Sequence, residues 1–203
     1  KTAVEYKDNI AFYYFDQTWK TITYNDFLSN TKGIASYLIK NRIKKGDRIA
    51  IISENRPEWC TSYLAISLSG GVAVPIDAQL GPDETRNLIA DSESKRVFFS
   101  SKTADNVKEA VKELSTLINL DSPDFKDICK TPEVSNYPEV SEEDVASIIY
   151  TSGTTGIPKG VQLTHGNFCS DAEAIIKAGI VTHNDNVLSV LPLHHTYPFM
   201  CTF

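Results

Sequence analysis

"RIAIISENRPEWCTSYLAISLSGGVAVPI", Arg48–Ile76, sets the fold class. It opens with "RIAIIS" (Arg48–Ser53), a short apolar run of the kind that forms a strand buried on both faces. "RPEWCTSYLAISLSGG" then reads as a helix. Pro57 suits its first turn, where a missing N–H leaves nothing unpaired, and Gly70–Gly71 offer an end. "VAVPI" (Val72–Ile76) is a second apolar run. Strand, helix and strand in that order predict a parallel βαβ unit.

The alternation continues downstream. "PDETRNLIADS" reads as a helix, "RVFFS" as a strand, "TADNVKEAVKEL" as a helix and "TLINL" as a strand. Upstream, "IAFYYF" (Ile10–Phe15) and "WKTIT" (Trp19–Thr23) are aromatic and β-branched, separated by "DQT", and read as a hairpin. Thr23 opens a helix with Asp26 three residues on, a capping-box arrangement. Phe27, Leu28, Thr31, Ile34, Ala35 and Leu38 share its apolar face, and "KKGD" ends it. Residues 121–144 break the pattern with Pro123, Pro132 and Pro138, eight acidic residues and two lysines, and read as an irregular surface connection. The expected fold is α/β: a mostly parallel sheet flanked by helices, with an N-terminal β-hairpin.

Composition narrows the functions. The chain has 203 residues, 41% of them hydrophobic, enough for one sizeable core. A net charge of −6 argues against a nucleic-acid binder, which needs a basic face to displace counterions. Cys60, Cys129, Cys169 and Cys201 form no C-x-x-C pair and read as reduced thiols in a cytoplasmic protein. There is no run of eighteen apolar residues and no charged-then-apolar leader. Lys1 is not a methionine, and the apolar phrase "YPFMCTF" reaches Phe203, so a piece of a longer polypeptide is expected.

Chemistry concentrates in "YTSGTTGIPKG", Tyr150–Gly160, which follows the apolar run "ASIIY" and precedes "VQLTH". It is not a Walker loop, because Pro158 and Val161 stand where the second glycine would have to fall. Pro158 and Gly160 discourage a helix, so the context is strand–loop–strand, without a helix dipole. The residues still suit a polyphosphate. Gly153 and Gly156 let backbone N–H groups approach closely, Thr151, Ser152, Thr154 and Thr155 offer hydroxyls, and Lys159 adds a full positive charge. Hydrogen bonds to a charged partner contribute about 1.5–3 kcal/mol each, so a few suffice for a micromolar site. One lysine does not neutralise a triphosphate, which implies Mg²⁺. The alternative, a flexible Gly/Ser/Thr connection, does not account for this order of residues after a buried-strand pattern.

"IIYTSGTTGIPKGVQLTH" (Ile148–His165) resembles the phosphate-loop signature of the adenylate-forming, AMP-binding enzymes: acyl-CoA synthetases, luciferases and peptide-synthetase adenylation domains. "TITYNDF", "LAISLSGGVAVPID" and "LPLHHTYPF" are similar to further family segments, in the same order. The resemblance implies an incomplete N-terminal (AMP-binding) domain over 1–203, lacking the C-terminal part and the small mobile C-terminal domain. It implies that Thr151, Ser152, Gly153, Thr154, Thr155, Gly156 and Lys159 hold the β- and γ-phosphates of ATP, with Thr151 also meeting the metal. His195 matches the histidine near the reacting carboxylate. His194 is read as wall, and His165 and His183 as structural or solvated. "LPLHHTYPFM" is most like the long-chain fatty-acid CoA ligases, which implies fatty acid, ATP and coenzyme A as substrates. The fragment alone is expected to be inactive. A free-standing nucleotide-binding module and an aryl- or amino-acid-activating member stay open, as do peripheral membrane contact and a homodimer.

Overall fold

The computed structural model describes residues 2–111, 117–152, 158–179, 182 and 185–195. A single helical turn, α1 (Thr2–Glu5), precedes the antiparallel hairpin β1 (Ile10–Asp16) and β2 (Thr18–Thr23). Then come α2 (Tyr24–Lys40), β3 (Arg48–Ile52), α3 (Pro57–Leu68), β4 (Val72–Ile76), α4 (Pro82–Asp91) and β5 (Arg96–Phe99). The chain continues through α5 (Ala104–Ala110), β6 (Leu117–Asn119), α6 (Pro123–Cys129), β7 (Val145–Ser152), β8 (Pro158–Thr164) and α7 (His165–Ala178).

Six strands form one sheet in the order β6-β5-β3-β4-β7-β8. Every neighbouring pair is parallel except β7–β8. The expected α/β fold with its N-terminal hairpin is therefore the observed one. Pro75 stands inside the central strand β4, opposite Ile51 of β3, and has no N–H to give a neighbour. On its other side β4 registers with β7 only at Ala73↔Ser147, where the Ser147 hydroxyl also donates to the Ala73 carbonyl at 3.0 Å.

Alternate residues of the strands feed two cores, as a two-faced sheet requires. Ile49, Ile51, Ala73 and Phe98 pack with Ile34 and Leu38 of α2, Trp59, Tyr63 and Ile66 of α3, and Phe125 of α6. Ala50, Ile52, Val74, Ile76, Val97 and Phe99 pack on the other face with Leu88 of α4 and Val107 of α5. So the connection leaving β3 crosses one face and the connection leaving β4 crosses the other. Open α/β sheets bind ligands outside the carboxyl ends of strands at such a switch point.

One expectation needs correcting. Residues 121–144 are a connection, but not an irregular one throughout. Ser122 caps α6 by accepting from Asp124 N–H at 3.0 Å, Pro123 fills its first turn, and Phe125 is buried. The rest is tied to α2: Lys32 pairs with Glu133 at 3.0 Å, Lys40 donates to the Pro132 carbonyl at 2.6 Å, and Val134 N–H donates to Ser36 Oγ at 3.1 Å. Among the described residues no helix is long and apolar enough to cross a membrane. Cys60, Cys129 and Cys169 are free thiols, and burial pushes Cys129 up to about 11.

Candidate functional site

The carboxyl end of the sheet collects the chemistry. β7 runs parallel to β4 and ends at Thr151–Ser152, so it delivers those residues to the same edge as Asp77, which follows β4. β8 returns antiparallel, pairing Thr151 with Lys159 and Ser152 with Pro158. The two strands expected around the loop are therefore present, with Thr151 and Lys159 both exposed at the mouth of the hairpin. Gly153, Thr154, Thr155 and Gly156 lie outside the described residues, as do His183 and Cys201. A hydroxyl residue and a cation side by side, flanking a glycine-bearing connection, form a donor set that fits a polyphosphate. A lone protein oxygen beside phosphate oxygens also suits Mg²⁺, which keeps several waters.

His195 reaches the same edge by another route. Leu193 is buried in the core that α2 and α3 share, which anchors the segment. His195 N–H then donates to the Pro192 carbonyl at 3.2 Å, closing a tight turn. His195 is exposed beyond that turn, while His194 is half-buried. The two rings are 4.1 Å apart, centroid to centroid.

The sequence pattern assigns His194 to the wall, and the structure gives it more. Its Nε2 is buried with no hydrogen-bond partner among the described residues and lies 3.8 Å from Asp77 Oδ2. That separation is too long for a hydrogen bond. Burial pushes the imidazole below its ordinary value, Asp77 opposes, and His195 adds to the fall, so the ring is neutral near pH 7. The Asp77–His194 pair is thus a poised contact, not a formed ion pair.

Two further features are not marked by any sequence motif. The first is Asn55, in the turn after β3. Its Oδ1 accepts from Leu193 N–H at 2.9 Å, and its Nδ2 donates to the Leu191 carbonyl at 2.7 Å and meets Ser189 Oγ at 3.5 Å. The second is an ion network at the same edge. Arg56 meets Glu58 at 2.8 Å and Asp121 at 2.7 Å, with Glu54 at 3.8 Å. Ser100 Oγ donates to Glu54 Oε2 at 2.7 Å, and Ser101 N–H donates to Asp121 Oδ2 at 2.6 Å. Burial opposes ionisation of Glu54, but the Ser100 bond and the charges of Lys102 and Arg56 hold its carboxyl below the usual range. "SENRPEW" carries a hint, since a polar run directly after a buried strand falls at the carboxyl edge.

The whole chain, residues 1–203, matches one family profile, that of the AMP-binding enzyme. The chain belongs to the AMP-binding enzyme family. It is 30% identical over 208 residues to 4-hydroxybutyrate–CoA ligase 2 of Metallosphaera sedula, covering 94% of this chain and 37% of that protein. It is 31% identical over 200 residues to fatty acyl-CoA synthetase A of Dictyostelium discoideum, covering 88% of this chain and 30% of that protein. The fold superposes on the N-terminal domain of FACL13 from Mycobacterium tuberculosis with a TM-score of 0.79 at 29% identity, over 90% of this chain and 47% of that one. The chain therefore spans about a third of the length of these curated relatives. Within an AMP-binding fold, the β7–β8 hairpin and the Asn55-bound segment share the edge where the site is expected.

Proposed function

We propose that this chain supplies the pyrophosphate side, and part of the carboxylate side, of an ATP-dependent acid–thiol ligase. Its acid substrate in this reading is a fatty acid. The observation that carries the proposal is the β7–β8 hairpin, which sets Thr151 and Lys159 opposite each other at the carboxyl edge of the sheet, the edge to which His194 also comes, near Asp77. Family membership and the two ligase relatives support the reaction class, and the fatty acyl-CoA synthetase among them supports the substrate.

In the first step a carboxylate oxygen attacks the α-phosphorus of ATP. The bond to the β-phosphate oxygen breaks and pyrophosphate leaves, giving an acyl-adenylate. In the second, the thiol of coenzyme A attacks the acyl carbon, loses its proton and expels AMP. Such chemistry depends on positioning and on stabilising dispersed negative charge. Lys159 contributes a fixed cation to the departing pyrophosphate. Thr151, Ser152, Thr154 and Thr155 donate hydroxyls to its oxygens, and Gly153 and Gly156 let backbone N–H groups reach it. Mg²⁺, held in part by Thr151, supplies further neutralising charge when bound. His195 faces the carboxylate end and orients the acid.

The test is ATP–pyrophosphate exchange by the full-length protein with saturated fatty acids of graded length and an aryl acid. Fatty-acid-dependent exchange is the expected result. Exchange with the aryl acid alone overturns the substrate, and no exchange with any acid overturns the reaction. The 203-residue polypeptide alone is expected to give none.

A further inference from the structure

We infer that Asn55 is a positioning residue for His195, acting as a clamp that fixes the backbone of residues 189–193. This rests on the proposed role of His195 in the acid-activation step. Residues 185–190 have no regular secondary structure, so no helix or strand ladder among the described residues holds them. Leu188 and Val190 are 83% and 71% exposed, so among the described residues little packs against them. The buried Leu193 side chain and the Asn55 carboxamide tie the segment to the sheet.

The carboxamide is chemically suited to this. The Leu193 N–H needs an acceptor and the Leu191 carbonyl needs a donor. One amide provides both at once, as a neighbouring peptide would. A carboxylate supplies only the acceptor and faces the Leu191 carbonyl with like polarity. Asn55 itself stands on a rigid support. It directly follows the loop from central strand β3 and directly precedes Arg56, the hub of the Glu54–Glu58–Asp121 network. The clamp thus transmits the position of β3 to the turn at Pro192–His195, joining Asn55 and Leu193 at a sequence separation of 138. Because Asn55 is itself exposed, its truncation opens no core cavity.

The experiment compares wild type, Asn55→Ala, Asn55→Asp, His195→Ala and the Asn55→Ala/His195→Ala double variant of the full-length protein. Pyrophosphate exchange is split into kcat and KM for ATP, and amide hydrogen exchange is followed over residues 189–195. Asn55→Ala is expected to lower kcat about ten- to a hundredfold with KM for ATP unchanged, the scale of a misplaced group. In the His195→Ala background it is expected to cost almost nothing more, because coupled residues are not additive. Asn55→Asp is expected to remain impaired. Protection is expected to fall across 189–195 while the thermal midpoint stays within a few degrees. Additive losses, or a fully active Asn55→Ala beside an impaired His195→Ala, overturn the clamp and leave the proposed reaction standing. A fully active His195→Ala removes the role that Asn55 serves and overturns both. If the wild type shows no exchange, the proposed reaction fails by itself. Unchanged protection in Asn55→Ala then overturns the clamp, and lost protection upholds its holding of the segment.

Discussion

Lys159 shows how much can rest on one side chain. It is exposed, so it adds little to the folded state, yet it is the cation of the β7–β8 hairpin mouth. A charged hydrogen bond is worth about 1.5–3 kcal/mol, so Lys159→Met is expected to reduce pyrophosphate exchange on the order of ten- to a hundredfold. Its thermal midpoint is expected to match wild type. An unchanged exchange rate would remove Lys159 from the phosphate site. Tyr150, on the facing strand, serves the scaffold instead. Its hydroxyl donates to Asp91 Oδ2 at 2.5 Å, joining β7 to the end of α4. Burial, reinforced by the Asp91 charge, pushes that phenol well above its ordinary value, so it stays a donor.

Among the elements, α2 packs closely on α6. Thr23 caps it, accepting from Asp26 N–H at 3.1 Å while its hydroxyl donates to Asp26 Oδ2 at 2.8 Å. Gly33 faces α6 at a point where a Cβ would lie 1.8 Å from the Cys129 carbonyl oxygen. Backbone cannot swing aside as a flexible side chain would. Gly33→Ala gains about 1 kcal/mol of helix propensity but forces two helices apart, an overpacking cost of about 1–3 kcal/mol or more. A net fall in the urea midpoint is expected. A rise would mean that α6 moves away freely. Since α6 opens the 121–144 connection, the same substitution tests whether that connection is structural.

At the scale of the molecule, acid stability is expected to fall in two stages. Burial pushes His165 and His194 below their ordinary value of 6.5, so the unfolded chain takes up their protons first. Their contribution is full above about pH 6.5 and is lost as pH falls toward their lowered values. Asp47, Glu54, Asp121 and Asp144 are all held low, Asp144 at about 2 beside Lys45, so their contributions are lost only as pH falls below about 4. Thermal midpoints from pH 8 to 3 should show a shallow limb and then a steep one. The His165→Gln/His194→Gln variant should lose the shallow limb, and an unchanged limb would assign it to other groups. The molecule is also uneven: α7 buries none of its residues, and Ile176, Val187, Leu188, Val190 and Leu191 are exposed.

The alternation of strands and helices, the hairpin, the Thr23 cap and the two strands that flank the hydroxyl- and glycine-rich run are all legible in the linear chain. Each is a local matter: periodicity, a terminating Gly pair or a run of hydroxyls and glycines is complete within a few positions. The α6 helix is not legible there, because its seven residues carry one buried apolar residue, Phe125, and the half-buried Ile128 and Cys129 among acidic and proline residues, too short a run for a periodic signal. Asn55, Asp77 and His194 are legible as residues but not as partners. Their contacts join positions far apart in the chain, and only the crossing of β3 and β4 connections to opposite faces brings them to one edge. Strand order and the closing of that edge depend on which apolar faces are buried together, a property of the packed sheet that no local stretch contains.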